Sequence, residues 1–131
     1  MTMNNLTWHC ELIINNEENC YDEVQCLVTH VMTHIYHDHN GHPYTDQNRV
    51  RIYILSKFLR AYVEELIDAE GEGRNSPMAQ ELLLGALQEI DFREIAEDLI
   101  GDYSPKPAEE IAEREEYFNI RGFNNFDIDE D

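Results

Sequence analysis

The chain has 131 residues, and 9 Lys and Arg against 28 Asp and Glu give a formal net charge of −19. This length fits one domain, and a hydrophobic share of 42% with 10% aromatic residues excludes global disorder. A charge this negative argues against direct binding to nucleic-acid phosphate and against binding to anionic lipid. No apolar run reaches the roughly 18 residues of a membrane span, and no charged leader precedes an apolar core, so we expect a cytoplasmic protein without a membrane partner.

The three cysteines carry no recognisable site signature. Cys10, Cys20 and Cys26 are an odd number at irregular spacing, and no CxxC pair is present. We therefore expect reduced, partly buried thiols rather than disulfides or a zinc ribbon.

Residues 7–14 show a two-residue periodicity. Trp8, Cys10, Leu12 and Ile14 alternate with mostly polar residues, which is the period of a half-buried strand. No second strand is evident, so an edge segment, an extended arm on helices and the start of a helix stay open as alternatives.

The rest of the chain shows apolar residues at helical spacing. Asn19, Thr45 and Ser76 are the predicted N-caps of three helices, and Asp91 with Glu94 forms a capping box before a fourth. The predicted helices cover residues 20–37, 46–69, 77–90, 92–99 and 108–117. The predicted fold class is mainly α: a single-domain bundle of four to five helices with a short N-terminal extended or β segment.

The C-terminal stretch differs in composition from the predicted helices. Residues 118–131 set apolar side chains among Asn, Gly and acids: Phe118, Ile120, Phe123, Phe126 and Ile128. Such segments often bind partners while otherwise disordered, although the aromatic side chains can instead pack back onto the bundle. We therefore divide the chain into a helical domain over residues 1–117 and an acidic-aromatic tail over residues 118–131.

One segment carries a resemblance. Residues 83–99 read Leu-Leu-Gly-Ala-Leu-Gln-Glu-Ile-Asp-Phe-Arg-Glu-Ile-Ala-Glu-Asp-Leu. This run resembles a segment of small acidic helical proteins of phages and cyanobacteria. The resemblance implies a microbial or viral origin and attaches no function.

The acidic residues are concentrated in the second half of the chain. Residues 1–60 hold 7 acids and 4 bases, whereas residues 61–131 hold 21 acids and 5 bases. Like charges one helical turn apart destabilise a helix, so a basic partner would offset their cost. Three predicted helix faces carry them: Glu64 and Asp68; Glu94, Glu97 and Asp98; Glu109, Glu110 and Glu113.

These faces predict a protein-binding role. Carboxylates one turn apart are separated by about 6 Å along a helix, which is comparable to neighbouring phosphates on a strand. The predicted function is an acidic inhibitor, acting as a nucleic-acid mimic, that occupies a basic surface of a host nucleic-acid-handling protein in phage or mobile-element counter-defence or host takeover. Phe123 and Phe126 are candidate apolar anchors. The alternative is a solvated acidic face that serves solubility.

Histidines in the first predicted helix favour a second hypothesis. His30, His34 and His37 follow one another at i, i+4 and i+7, and Cys26 lies one turn before them. Imidazole and thiolate are ligands of Zn²⁺, so a metal-binding helical protein is an alternative function. Val31 stands where the HExxH motif has Glu, which excludes hydrolysis by that scheme. The alternative is a polar helix flank.

Catalysis is not predicted. The sequence has no GxGxxG, P-loop, GxSxG or SxxK motif, and we expect no enzyme and no cofactor apart from the alternative Zn²⁺. A third hypothesis is a structural or assembly module, in which the face of Phe58 and Tyr62 joins subunits as in a homodimer.

Overall fold

The protein is mainly α-helical. The computed structural model describes residues 4–71 and 77–126, and within them six helices are found. They are α1 (Asn5–Asn16), α2 (Glu18–Met32), α3 (Gln47–Gly71), α4 (Pro77–Leu87), α5 (Phe92–Asp102) and α6 (Ala108–Arg121), followed by a 3-10 turn (Phe123–Asn125). The predicted helical class is confirmed, with six helices in place of four to five. None of the described helices combines the length and apolarity needed to cross a bilayer.

The N-terminal segment is a helix, so the predicted extended or β segment is wrong. Asn4 caps α1, since its Oδ1 accepts a hydrogen bond from the N–H of Thr7 at 2.8 Å. The side chains that α1 turns inward are Thr7, Cys10, Glu11 and Ile14, which follow helical spacing. Two of these four are polar, so the buried stripe carries too little hydrophobic signal to reveal the helix.

Acidic side chains cap three of the other helices. Glu17, Asp46 and Asp91 each accept a hydrogen bond from the backbone N–H three residues on, at 2.8, 3.1 and 3.1 Å. Asp91 confirms the predicted cap of α5. The predicted caps Asn19 and Thr45 are displaced by these neighbouring acids, which interact more favourably with the positive end of a helix.

The helix α2 ends five residues earlier than predicted. It ends at Met32, and the side chain of Gln47 holds the chain that follows. The N–H of Tyr36 donates to Gln47 Oε1 at 2.8 Å, and Gln47 Nε2 donates to the carbonyl oxygen of Tyr36 at 2.9 Å. Tyr36 is therefore buried, whereas Ile35, predicted for the helical core face, is exposed.

The core forms where α3 packs between α2 and α5, while α6 packs against α2. Its largest fully buried side chains are Tyr62, Phe118, Phe123, Leu27, Ile54, Leu55, Leu59, Leu87 and Ile95. Phe58 and Tyr62 are 6% and 1% exposed. Their face is therefore filled by the chain's own core and is not available to join subunits.

The helix α6 continues beyond its predicted end at residue 117. It ends at Arg121, and Gly122 terminates it with φ 86°, a left-handed backbone conformation that favours glycine. Phe118, which begins the predicted tail, lies within this helix and is buried. Residues 127–131 of the predicted tail lie outside the described residues.

A polar network fastens α6 to α2 and α3. Arg121 Nε donates to Glu23 Oε2 at 2.5 Å, and the same guanidinium forms an ion pair with Glu65. The hydroxyls of Tyr62 and Tyr117 also donate to Glu23, at 2.8 and 3.1 Å. The hydrogen bond to Glu65 holds the pKa of Arg121 above its usual range. The network thus places the Arg121 guanidinium beside the carboxylates of Glu23 and Glu65, close to the core.

We predict that Arg121→Met destabilises the protein by about 1–3 kcal/mol, because a half-buried carboxylate at Glu23 loses its cationic partner. Arg93→Met is the matched control. Arg93 pairs with Glu97 at 3.4 Å in an exposed ion pair, so its loss should cost less than about 0.5 kcal/mol. Urea unfolding of both variants measures the difference, and equal losses would contradict the assigned role of Arg121.

Candidate functional site

Four carboxylates meet where α1 packs against α5. Glu94, Asp98 and Asp102 lie one turn apart along α5, and Glu11 of α1 forms a hydrogen bond with Asp98. We call these four residues the acidic seam. None of them forms an ion pair with a basic side chain within the described residues. The seam is thus a row of anionic groups without internal neutralisation.

The electrostatic consequence is clearest at Glu11. Partial burial, the hydrogen bond with Asp98 and repulsion from Asp98, Glu94 and Asp102 raise the pKa of Glu11 to about 7. A protonated Glu11 donates a hydrogen bond to the Asp98 carboxylate, whereas an ionised one faces three like charges. Burial together with the neighbouring negative charges therefore favours the protonated form of Glu11 up to near-neutral pH.

Two of the four seam residues were predicted from the sequence as contact residues. Glu94 and Asp98 were predicted contact residues, and the third member of that face, Glu97, pairs with Arg93. Asp102 was missed because the predicted α5 ended at residue 99. Glu11 was missed because its segment was predicted as a strand, whose neighbours a sequence does not specify.

The acids predicted on α3 do not join the seam. Glu64 Oε1 accepts a hydrogen bond from Arg60 Nε at 3.1 Å, so its charge is partly balanced within α3. Asp68 belongs to α3, but its side chain lies outside the described residues.

The acids predicted on α6 do not join the seam either, because α6 packs against α2. Glu109 and Glu113 are exposed. Glu110 pairs with Arg114 at 3.1 Å, and Arg114 also donates to Thr29 Oγ1 at 2.8 Å. The α6 acids thus form a second, separate group.

The predicted apolar anchors belong to the core. Phe123 is fully buried and packs edge-on against Tyr62 and Phe118. Phe126 is half-buried, and its ring centroid lies 5.5 Å from that of Phe123. The prediction that Phe123 is an exposed partner anchor is therefore wrong, since its ring is part of the core, and Phe126 packs against that core while remaining half-buried.

A second cluster joins α2 to α6. His30, His34 and Glu115 each offer one ligand atom within 4.8 Å of the others. His30 Nδ1 lies 2.8 Å from Glu115 Oε1, and the imidazole stacks on Phe118 at 3.9 Å between ring centroids. Burial and the neighbouring His34 lower the pKa of His30, against the opposing effect of Glu115.

The predicted metal ligands are only partly brought together. Cys26 is buried outside the cluster, and burial raises the pKa of its thiol. His37 follows the end of α2, lies in extended backbone opposite Pro43 and is exposed, so it is not part of the cluster either. Glu115 was missed because it stands 85 residues from His30, on a helix that the sequence did not pair with α2.

Comparison of this chain with family models, curated proteins and solved structures finds no match. Its function is therefore inferred from the geometry of the seam and of the His–Glu cluster.

We predict that Glu11→Gln flattens the pH dependence of stability. A carboxyl whose folded pKa is raised to about 7 stabilises the fold below its unfolded pKa of 4.5 and loses that contribution as pH rises through 7. Gln keeps the hydrogen-bond donor to Asp98 without ever ionising. The variant should therefore gain stability over the wild type at pH 8 and little at pH 5.

Urea unfolding at pH 5, 6, 7 and 8, a range that brackets the raised pKa, measures the difference in unfolding free energy between the variant and the wild type. Glu18→Gln is the control, because Glu18 is exposed on α2 outside the seam. A constant difference between the Glu11 variant and the wild type across this range would exclude the raised pKa.

Proposed function

We propose that this chain is a non-catalytic acidic interaction protein. It binds and blocks a basic surface of a nucleic-acid-handling protein in the cytoplasm of a host cell, as a phage- or mobile-element-encoded inhibitor would. The acidic seam is the contact surface, and the row of carboxylates without an ion-pair partner within the described residues is the observation that carries the proposal.

The spacing of the seam supports this function. Glu94, Asp98 and Asp102 repeat every four residues, which separates neighbouring carboxylates by about 6 Å along α5. A groove that binds successive phosphates presents cations at a comparable interval. The helix therefore offers a rigid row of anions, and little conformational entropy is lost when a partner binds it.

The placement of the basic residues supports it further. Arg121 pairs with Glu23 and Glu65 on two other helices, whereas Arg114 pairs with Glu110 one turn away on its own helix. Within the described residues, the arginines that form ion pairs are thus taken by acids outside the seam, which leaves the seam charge uncompensated. A chain that used acids only for solubility gains nothing from crowding four of them at one helix contact.

Binding through this seam has two physical consequences. A cationic partner lowers the pKa of Glu11, so complex formation releases a proton near neutral pH. Association is accelerated by long-range attraction and weakens as salt screens it.

The test compares two triple variants with equal net charge. Glu94→Gln/Asp98→Asn/Asp102→Asn neutralises the α5 part of the seam, and Glu109→Gln/Glu113→Gln/Glu116→Gln neutralises exposed acids of α6. Each immobilised variant, beside the wild type, captures proteins from a lysate of the native host for quantitative mass spectrometry. We expect a nucleic-acid-binding protein that the wild type and the α6 variant retain and the seam variant loses.

Elution across a salt gradient completes this test. Retention should fall steeply between about 0.05 and about 0.5 M salt, because surface ion pairs are screened over this range. Equal capture by both triple variants, or retention unchanged by salt, would remove the proposed function.

A second candidate function, an assembly module, is favoured by the helix α4. Met78 and Leu82 are 72% and 68% exposed, Leu83 and Leu84 are also exposed, and Leu87 is the side chain that anchors this helix to the core. An exposed apolar face of this kind is typical of a surface that another protein covers. A second copy of this chain is the occupant that we propose for this face.

We predict that Leu82→Glu abolishes self-association, whereas Ile120→Glu does not. Ile120 is a similarly exposed apolar residue, but it lies on α6 rather than on α4. Light scattering coupled to size-exclusion chromatography measures the mass. High salt should strengthen the dimer, since it screens the repulsion between two copies of net charge −19. A wild type that stays monomeric in high salt removes this candidate.

A further inference from the structure

We propose that His30, His34 and Glu115 form a binding site for one Zn²⁺ ion, which links the end of α2 to the middle of α6. Two imidazole nitrogens and one carboxylate oxygen are ligands that Zn²⁺ accepts in proteins. This site is independent of the acidic seam, which lies between α1 and α5.

The geometry of the ligand atoms fits such an ion. One ligand atom from each residue lies within 4.8 Å of the others, and His30 Nδ1 and Glu115 Oε1 are 2.8 Å apart. Tetrahedral Zn²⁺ with bonds of about 2.0–2.1 Å separates its ligand atoms by about 3.3 Å. The His30–Glu115 pair therefore opens by about half an ångström, while the exposed His34 ring moves inward.

The surrounding contacts hold the ligands in place. His34 Nδ1 lies 2.8 Å from the carbonyl oxygen of His30, and Arg51 Nη2 donates to the carbonyl oxygen of His34 at 2.7 Å. Ring contacts with His34 and Phe118 flank the imidazole of His30. A hydrogen bond from one ring nitrogen to a carbonyl oxygen commonly orients a histidine that binds metal through the other nitrogen.

The site leaves a coordination position open to solvent. His34 is exposed and Glu115 is half-buried, so water or a partner's side chain can complete a four-coordinate ion. The positive charge of Arg51 opposes a divalent cation, whereas Glu115 and the net charge of −19 favour it. The three ligands thus form a site in which one bound ion would join the end of α2 to α6.

The test titrates Zn²⁺ into chain purified without a His-tag and stripped with a chelator. Excess Mg²⁺ in the buffer saturates sites made of carboxylates alone, because Mg²⁺ prefers oxygen ligands and imidazole selects Zn²⁺. A chromophoric chelator reports the competition for Zn²⁺. We expect one Zn²⁺ per chain, and Co²⁺ in its place should show the absorption of a tetrahedral complex.

His34→Ala and Glu115→Gln should each weaken Zn²⁺ binding by about tenfold or more. Glu115→Gln is the sharper variant, because the amide can keep the contact with His30 but is a poor ligand for Zn²⁺. His37→Ala and Cys26→Ser are controls, since neither residue belongs to the cluster, and both should bind Zn²⁺ as the wild type does. Far-UV circular dichroism checks that each variant remains helical.

The stability of the chain gives an independent readout. Zn²⁺ that binds the folded state raises the melting temperature of the wild type, and His34→Ala should lose this increase. The proposal is overturned if the wild type binds no Zn²⁺ in the presence of Mg²⁺, or if His34→Ala and Glu115→Gln bind as tightly as the wild type.

Discussion

The scarcity of cations constrains every part of this structure. With 9 basic side chains for 28 acidic ones, the fold can neutralise only a minority of its carboxylates. Acids near the core must take the available arginines, since an unpaired charge is most costly where water is excluded. Arg121 therefore joins Glu23 and Glu65.

The acidic seam is the place where this constraint is not relieved. Glu11 is half-buried against Asp98, and no arginine reaches either residue within the described part of the chain. Burial and the neighbouring acids instead raise the pKa of Glu11 to about 7, which favours its protonated form over a fourth adjacent negative charge. When a cationic group of another molecule approaches, Glu11 can release its proton and interact with that group. The unpaired carboxylates of the seam therefore limit the stability of the fold and, at the same time, form a surface that can bind a cationic partner.

The two proposed sites occupy different parts of the bundle and respond to different ions. The seam lies on α1 and α5 and presents carboxylates only, whereas the His–Glu cluster joins the end of α2 to α6 and presents two ring nitrogens with one carboxylate oxygen. A metal that fastens α6 to α2 stiffens the side of the molecule that also carries the Arg121 network. The seam can then be neutralised by a partner without loss of that framework.

The sequence predicted the helical class because Leu27, Val31, Leu55, Leu59 and Ile95 repeat at helical spacing and are all buried. It failed at α1, where the buried stripe contains Thr7 and Glu11 while Trp8 and Leu12 face solvent.

It also failed at the end of α2, where Gln47, a residue distant in sequence, hydrogen-bonds the backbone of Tyr36. Both sites were half predicted for the same reason. Residues close in sequence, such as Glu94 and Asp98 on α5 or His30 and His34 at the end of α2, are related by local spacing. Their partners Glu11 and Glu115 come from distant helices, and only tertiary packing brings them together.

The most direct test of the concentrated negative potential is a carbon-detected NMR titration of the Glu11 carboxyl in low salt. The structure predicts a midpoint near 7, which moves lower in Asp98→Asn and with added salt, because both reduce the repulsion from its neighbours. A midpoint near 4.5, unaffected by either change, would contradict the account.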